Sequence, residues 1–277
     1  MIKAIAVKKL FGRFNYKVTL KDGHVTVLTG PNGFGKSTLF TLLEAVSKGY
    51  RQPICSTPFE SFSLVVDEEE LSIQKTIDKV IVGGVEYDLE IFASGKKCAE
   101  WDTLIQKVGR IEIVGSRRLL SKVIKGEKDV VEYVEFLRNI PLRVAKAHRS
   151  IEGAKRAELL VELLSEKLTF KRVELQGGEM YFYDDDGNAL QFSQLSAGEI
   201  QLTAFYVELL FSAMDGSLML VEEPENSLHI IWQFGLVEEV EKICTLTATT
   251  AIIATHSPQI LNGNADIQVD LGEQYDG

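Results

Sequence analysis

Hydrophobic and polar positions change rhythm several times along the chain. Ile2–Lys8 and Tyr16–Leu20 alternate in the manner of strands, with Gly12 and Asn15 in the turn region between them. Lys21-Asp22-Gly23 predicts a turn, and His24–Leu28 a β-branched strand that runs into a glycine-rich loop. A helical pattern follows over Lys36–Ser47, then an irregular stretch over 50–60 that holds Pro53 and Pro58. Phe62–Val66 and Leu71–Thr76 alternate again around the acidic turn Asp67–Glu70, and a further hairpin turns at Gly83-Gly84, so this region reads as antiparallel. From residue 117 the texture becomes helical, with helices predicted over Asp129–Leu137 and Ala154–Leu168, broken at Pro141. Lys171–Leu175, Glu179–Tyr183 and Ala189–Phe192 return to strands around a turn at Asp184–Asn188. The last third alternates: helix Ala197–Met214, strand Ser217–Val221, helix Leu228–Cys244, strand Thr250–Ala254, a short helix from Pro258, strand Ile267–Val269. Strand–helix alternation predicts a parallel sheet, so the fold class is α/β, with an antiparallel β subdomain and a helical insertion. The division follows the texture: 1–116, 117–170 and 171–277. No internal repeat or low-complexity segment is visible.

Composition narrows the class. The chain has 277 residues, 45% apolar and 25% charged, which excludes disorder and fibrous repeats and suffices for a buried core. Its formal charge of -10 argues against coating nucleic acid with the whole surface, since that binding runs on Lys and Arg contacts to phosphate. Cys55, Cys98 and Cys244 are widely spaced, which excludes a disulfide scaffold or a cysteine-rich zinc site. No apolar run reaches membrane-helix length, and Met1–Ile5 carries no signal-peptide pattern; a cytoplasmic protein without membrane contact is expected.

Four elements carry chemistry. Gly30-Pro31-Asn32-Gly33-Phe34-Gly35-Lys36-Ser37 fits G-x-x-x-x-G-K-[ST] at every fixed position, between an apolar strand and a helical pattern. Glycines let the backbone aim several N–H groups at one anion, the helix adds its positive end, Lys36 suits the β- and γ-phosphates and Ser37 suits Mg²⁺. The apolar run Leu218–Val221 ends in Glu222-Glu223-Pro224-Glu225. Carboxylates at the end of a buried strand need a cation or a hydrogen bond. Adjacent strand residues point oppositely, so the two need not share a job: Glu222 suits the metal, directly or through water, and Glu223 the general base that takes a proton from water, the plainer alternative being acids that start the next helix. Leu195-Ser196-Ala197-Gly198-Glu199 has the form of a helix capping box, Ser196 with Glu199 three residues on, and that alone explains it structurally. Ala254-Thr255-His256-Ser257-Pro258 places a histidine after an apolar strand, where it can donate to a phosphate or hold a water.

Together these elements resemble the ABC-type ATPases, and stand in that family's order: phosphate loop Gly30–Thr38, signature Leu195–Glu199, Walker B Leu218–Glu223 and switch histidine His256. The opening VKKLFGRFNYKVTL and the strings VEEPENSLH and ATHSP are similar to the soluble branch that holds RecF, SMC proteins and the OLD-type AAA family ATPases of bacterial anti-phage systems. Glu222 stands where transporters carry Asp. The resemblance implies a P-loop NTPase fold with an ABC-ATPase-like mixed sheet, and ATP and Mg²⁺ as cofactors. It also implies two subunits that sandwich two ATPs head to tail, with Ser196 and Gly198 of one closing on the γ-phosphate held by Gly30–Thr38 of the other. The span between Ser37 and Leu195 is too short for an SMC coiled coil, and too few residues follow His256 for a Toprim nuclease domain. The expected function is an ATP-hydrolysing switch, a homodimer or higher oligomer that regulates a separate protein effector such as a nuclease in anti-phage defence. A transporter's nucleotide-binding subunit and a RecF-like DNA-repair ATPase are the competing readings.

Other features have plainer explanations. The Q-loop glutamine is replaced by Arg117 in Ile113–Leu119, or supplied by Gln52. Arg138, Arg143, Lys146, Arg149, Lys155 and Arg156 form a basic stretch with one acid, Glu152, which reads first as a solvated helix face and second as a nucleic-acid or partner contact. Asp184–Asn188 fails calcium-loop spacing and reads as a hairpin turn. Phe11, Phe14 and Tyr16 are candidates to stack on adenine or to pack beneath a sheet.

Overall fold

The computed structural model describes residues 1–21, 23–115, 137, 139–226 and 228–275. The chain opens with β1 (Ile2–Leu10) and β2 (Phe14–Thr19), an antiparallel pair whose Phe14, Tyr16 and Val18 point inward on alternate positions. β3 (Val25–Thr29) leads through the glycine-rich loop into α1 (Lys36–Lys48), which a left-handed Gly49 ends. A short α2 (Arg51–Ser56) precedes β4 (Ser61–Val66), β5 (Glu69–Lys75), β6 (Lys79–Val82) and β7 (Val85–Asp88), giving a six-stranded antiparallel sheet in the order β2-β1-β4-β5-β6-β7. The hairpin at Gly83-Gly84 has both residues at positive φ, as the tight turns that match strand twist require. Helices α3 (Leu89–Ala93) and α4 (Ala99–Val108) and strand β8 (Ile111–Gly115) complete this half.

Beyond the undescribed stretch come α5 (Ile140–Ala147), α6 (Ile151–Lys167) and a three-stranded sheet of β9 (Lys171–Gln176), β10 (Glu179–Asp184) and β11 (Ala189–Leu190). Then follow α7 (Ala197–Ser212), β12 (Leu218–Glu222), α8 (Ile230–Gln233), α9 (Leu236–Thr247), β13 (Thr250–Ala254), α10 (Pro258–Leu261) and β14 (Gln268–Asp270). The centre is a five-stranded parallel sheet in the order β14-β3-β13-β12-β8. Its inner strands β3, β13 and β12 are buried on both faces, as parallel strands demand, while the edge strand β14 is half-buried. Leu218, Leu220, Ile252 and Ala254 join the core shared with α1, α4 and the antiparallel sheet, whereas Met219, Val221, Ala251 and Ile253 join the core built from α5, α6, α7 and α9. The expected mixed α/β fold is therefore present, and the central sheet takes strands from both ends of the chain.

Several local expectations are corrected. The 50–60 stretch is not irregular throughout, because Pro53 lies in the first turn of α2, where its missing N–H has no partner to lose. Pro141 likewise starts α5 instead of interrupting a helical run. The expected single helix over Leu228–Cys244 is two, separated at Phe234 and left-handed Gly235. The sequence reading omits α3, α4 and β8. α4 packs Trp101, Leu104 and Val108 inward at helical spacing. The predicted helix Asp129–Leu137 lies almost wholly outside the described residues.

One buried polar cluster ties the second core together. Lys167 at the end of α6 pairs with Glu239 of α9 at 2.5 Å and donates to the Trp232 and Phe234 carbonyls. The Tyr206 hydroxyl of α7 donates to the other Glu239 oxygen. Burial pushes the Glu239 carboxyl up, against the stabilising effect of Lys167 and Tyr206. Lys167→Met strands this carboxylate and is expected to lower stability by about 3–5 kcal/mol, measured as a urea unfolding shift. Adding Glu239→Gln recovers more than half of that loss. A single-variant loss under about 1 kcal/mol, the range of exposed pairs, contradicts a desolvated cluster.

Candidate functional site

The carboxyl ends of β3, β13 and β12 are neighbours on one edge of the central sheet, and each delivers one of the sequence-predicted groups. After β3 the chain forms the loop Gly30–Gly35. Gly35 has φ +87°, which favours glycine, and a Cβ there falls 2.7 Å from Leu10 Cδ2, so any side chain would also force Leu10 to shift. Gly30, at φ +138°, leaves room for Leu271, whose Cβ is 3.2 Å from where a Gly30 Cβ falls. Lys36, the first residue of α1, is buried, and its Nζ donates to the Gly30 carbonyl at 2.7 Å and the Pro31 carbonyl at 3.3 Å. Nζ also lies 3.5 Å from His256 Nδ1, at the end of β13. Burial pushes the Lys36 amine below its ordinary pKa, partly offset by the Glu223, Glu225 and Asp270 carboxylates. A cavity of about 390 Å³ is lined by Phe11, Asn32, Gly33, Gly35, Lys36, Ser37, Thr38, Glu223 and His256.

Glu222 closes β12 and pairs in register with Ala254 of β13 and Gly115 of β8. Glu223 takes φ +45° and still donates its N–H to the Ala254 carbonyl at 2.8 Å. A single 3₁₀ turn, Pro224–Asn226, follows, and Asn226 Nδ2 donates to Glu223 Oε2 at 2.9 Å. Glu225 accepts from the Thr255 hydroxyl at 2.8 Å and the His256 backbone N–H at 2.7 Å. Sequence reasoning assigned Glu225 no role, although it stands in the same acidic run.

The structure brings Asn32, Gly33, Gly35, Lys36, Ser37, Thr38, Glu223 and His256 to one cavity, while Glu222, Ser196 and Gly198 do not line it. Ser196 is the N-cap of α7. Its hydroxyl accepts from Glu199 N and Glu199 Oε2 accepts from Ser196 N, the full capping box. Burial opposes ionisation of Glu199, but Lys171 at 2.7 Å and the Ser196 groups outweigh it and hold the carboxyl below its usual pKa. Gly198 sits against the Trp232 ring, 3.4 Å from the position of a Cβ.

The aromatic candidates divide. Phe14 and Tyr16 are buried and stacked, with centroids 5.6 Å apart, and burial beside Tyr275 pushes the Tyr16 hydroxyl up to about 12. Phe11 is 40% exposed and lines the cavity. Phe34 of the loop packs against Phe14 and Tyr275, at 5.1 and 5.7 Å. Arg117 and Arg138 lie outside the described residues, and Gln52 lines a different hollow, beside Trp101. Arg143, Lys146, Arg149 and Arg156 share one concavity with Glu152, but Arg156 donates to the Leu210 and Ala213 carbonyls and so caps α7. Asp184–Asn188 is the hairpin turn expected, closed by Asn188 N on Asp184 Oδ1 at 2.7 Å.

Among the described residues, no group of three or more His, Cys, Asp or Glu side chains could hold a metal, and no helix is long and apolar enough to cross a membrane. The donors at hand are Ser37 and a few carboxylates. That hard, sparse oxygen set fits Mg²⁺, which keeps waters and completes its shell with substrate phosphates.

The fold is similar to the SMC head domain from Thermotoga maritima, with a TM-score of 0.51 and 16% identity over 94% of this chain and 91% of that one. An SMC head solved with the C-terminal winged-helix domain of ScpA aligns at a TM-score of 0.48 and 14% identity, covering 94% of this chain and 91% of the other. An uncharacterized protein of Methanocaldococcus jannaschii is 34% identical over 61 residues, 22% of this chain and only 8% of that protein's length. The family described as "AAA domain, putative AbiEii toxin, Type IV TA system" matches residues 100–262, more than half of the chain, from α4 through Leu195–Glu199, β12 and His256. The G-x-x-x-x-G-K-[ST] loop, Gly30–Ser37, precedes the matched span. The chain belongs to this AAA-domain family of P-loop ATPases.

Proposed function

We propose that this protein binds ATP with Mg²⁺, hydrolyses it, and uses the cycle to open and close a head-to-tail dimer that regulates a separate effector. The cavity that gathers Lys36, Ser37, Thr38, Glu223 and His256 carries this reading. Lys36 now holds two loop carbonyls and the His256 ring, acceptors that the phosphate oxygens of a nucleotide replace. Gly30–Thr38 cradles the phosphates with its backbone N–H groups, and Phe11 is placed to stack on the base. Ser37 and Glu222, directly or through water, are the residues to hold Mg²⁺, which supplies charge neutralisation on the β- and γ-phosphates. Glu223 takes a proton from the attacking water, and His256 contacts the γ-phosphate or that water.

Ser196 and Gly198 lie away from their own subunit's cavity, which supports their use on a partner's nucleotide. The working division is 1–116 and 171–277 as two ATPase lobes with 117–170 as a helical insertion. The family description names a toxin of a type IV toxin–antitoxin system, and this supports placing the chain among bacterial conflict and anti-phage systems of the OLD-like branch.

Lys36→Ala is expected to abolish ATP binding, since the buried cation at the phosphates is lost. Isothermal titration that still shows micromolar affinity contradicts the loop assignment.

Glu223→Gln keeps size and hydrogen bonding but not basicity, so Mg-ATP stays bound while turnover falls by about 100-fold or more. Glu222→Gln instead weakens Mg²⁺ dependence and nucleotide affinity together. Paired affinity and turnover measurements separate the two, and normal turnover in Glu223→Gln reduces the protein to an ATP-binding scaffold.

Ser196→Arg blocks ATP-driven dimerisation in sedimentation while the monomer still binds ATP. Ser196→Ala is the comparison without added bulk: it loses the helix cap, about 1 kcal/mol, and the hydroxyl offered to the partner's nucleotide, so its dimers are weakened less than those of Ser196→Arg. Normal dimers from Ser196→Arg leave the capping box as the segment's whole role.

A further inference from the structure

We propose that Glu225 is a positioning residue: it fixes the loop that carries His256, and so welds the histidine to the turn that carries Glu223. The inference rests on the reading that His256 contacts the γ-phosphate or the attacking water. His256 is solvent-exposed, so packing does little to fix it. Its ring meets Lys36 Nζ at 3.5 Å, and its backbone is held from the loop around it. Thr255 N donates to the Leu28 carbonyl at 3.1 Å, which ties the loop to β3. One Glu225 oxygen accepts from the His256 N–H at 2.7 Å and the other from the fully buried Thr255 hydroxyl at 2.8 Å. The Thr255 hydroxyl oxygen accepts in turn from Ser257 N at 2.9 Å, and Ser257 Oγ lies 2.6 Å from Oε1 of the buried Gln233. Gln233 Nε2 donates to the Leu228 carbonyl at 3.1 Å. Among the described residues, the hydrogen bonds that join 255–257 to the segment after β12 run through the side chains of Glu225 and Gln233.

The same turn faces both ways. Asn226 holds the Glu223 carboxylate at 2.9 Å, while Glu225, its neighbour, holds the histidine loop. Two of the acids after Val221 therefore divide the work, Glu223 lining the cavity and Glu225 aligning the backbone of the residue opposite. A carboxylate suits this task because it accepts two hydrogen bonds at fixed separation and needs none of its own donors satisfied.

The competing role for Glu225 is its charge, which reaches Lys36. The variants separate the two. Glu225→Ala loses both acceptors and is expected to lower kcat by about 10- to 100-fold, the effect of a misplaced catalytic group, with the Kd for Mg-ATP unchanged. Glu225→Gln keeps one oxygen for the His256 N–H, and is expected to restore most of kcat although the charge is gone. Thr255→Val, which removes one of the two holds, gives a smaller loss and serves where Glu225→Ala does not fold. In a His256→Ala background, Glu225→Ala adds no further loss. The positioning role is overturned if Glu225→Gln is as damaging as Glu225→Ala and shifts ATP affinity, or if the Glu225 and His256 losses multiply. Normal turnover in His256→Ala alone overturns the histidine reading beneath it, an outcome distinct from either.

Discussion

A parallel sheet buried on both faces leaves its functional groups only one place to go. The strands β3, β12 and β13 carry almost unbroken apolar runs, because each side chain meets a core above or below the sheet. Polar chemistry is then confined to the strand ends, where loops leave the sheet and ligands bind in folds of this class. Gly30, Glu223 and His256 are far apart in sequence, and the strand ends bring them near one another. β14 completes the edge from outside: Asp270 accepts from the Thr29 hydroxyl at 3.0 Å and Leu271 lies against Gly30, so the loop is supported from that side.

That support has an electrostatic consequence. The one buried cation in the loop, Lys36, lies among Glu223, Glu225 and Asp270, whose charges offset the effect of its burial. A triphosphate entering this neighbourhood brings more negative charge to a place already holding carboxylates. Lys36 alone cannot balance it, and a divalent cation carried with the phosphates can. On the proposed reading, a need for Mg²⁺ would follow from this charge inventory as well as from the loop motif.

Much of this was legible in the sequence because the relevant signals are local. The loop motif, the capping box at Ser196 and the hairpin glycines Gly83 and Gly84 each report on a few adjacent residues, and the structure places them in the elements expected. What was not legible depends on position within an element. Pro53 and Pro141 read as breakers, yet a proline is harmless in a helix's first turn. Gly235 splits a run whose apolar pattern continues across it. β8 breaks its apolar run with Glu112, and its place beside β12 is set by packing across the sheet. Glu225 was in plain view, but its partners Thr255 and His256 lie on another strand's end, and no spacing rule reveals them.

The geometry of Glu223 shows how the fold reconciles the sheet with the chemistry. Along β12 the side chains alternate: Leu218 and Leu220 face the core of α1, and Met219 and Val221 the opposite core. Continued as a strand, Glu223 would fall in line with Met219 and Val221, on the side away from the phosphate loop's helix, and bury a carboxylate in apolar surroundings. Instead the backbone turns to φ +45° at this residue, a conformation that costs a non-glycine residue about 1–2 kcal/mol. The bonds from Glu223 N to Ala254 and from Asn226 to the carboxylate hold it there. The turn redirects the side chain to the cavity beside Lys36 and keeps its charge out of the core. Strain at this one position is what puts Glu223 in the cavity while its neighbour Glu222 still closes β12.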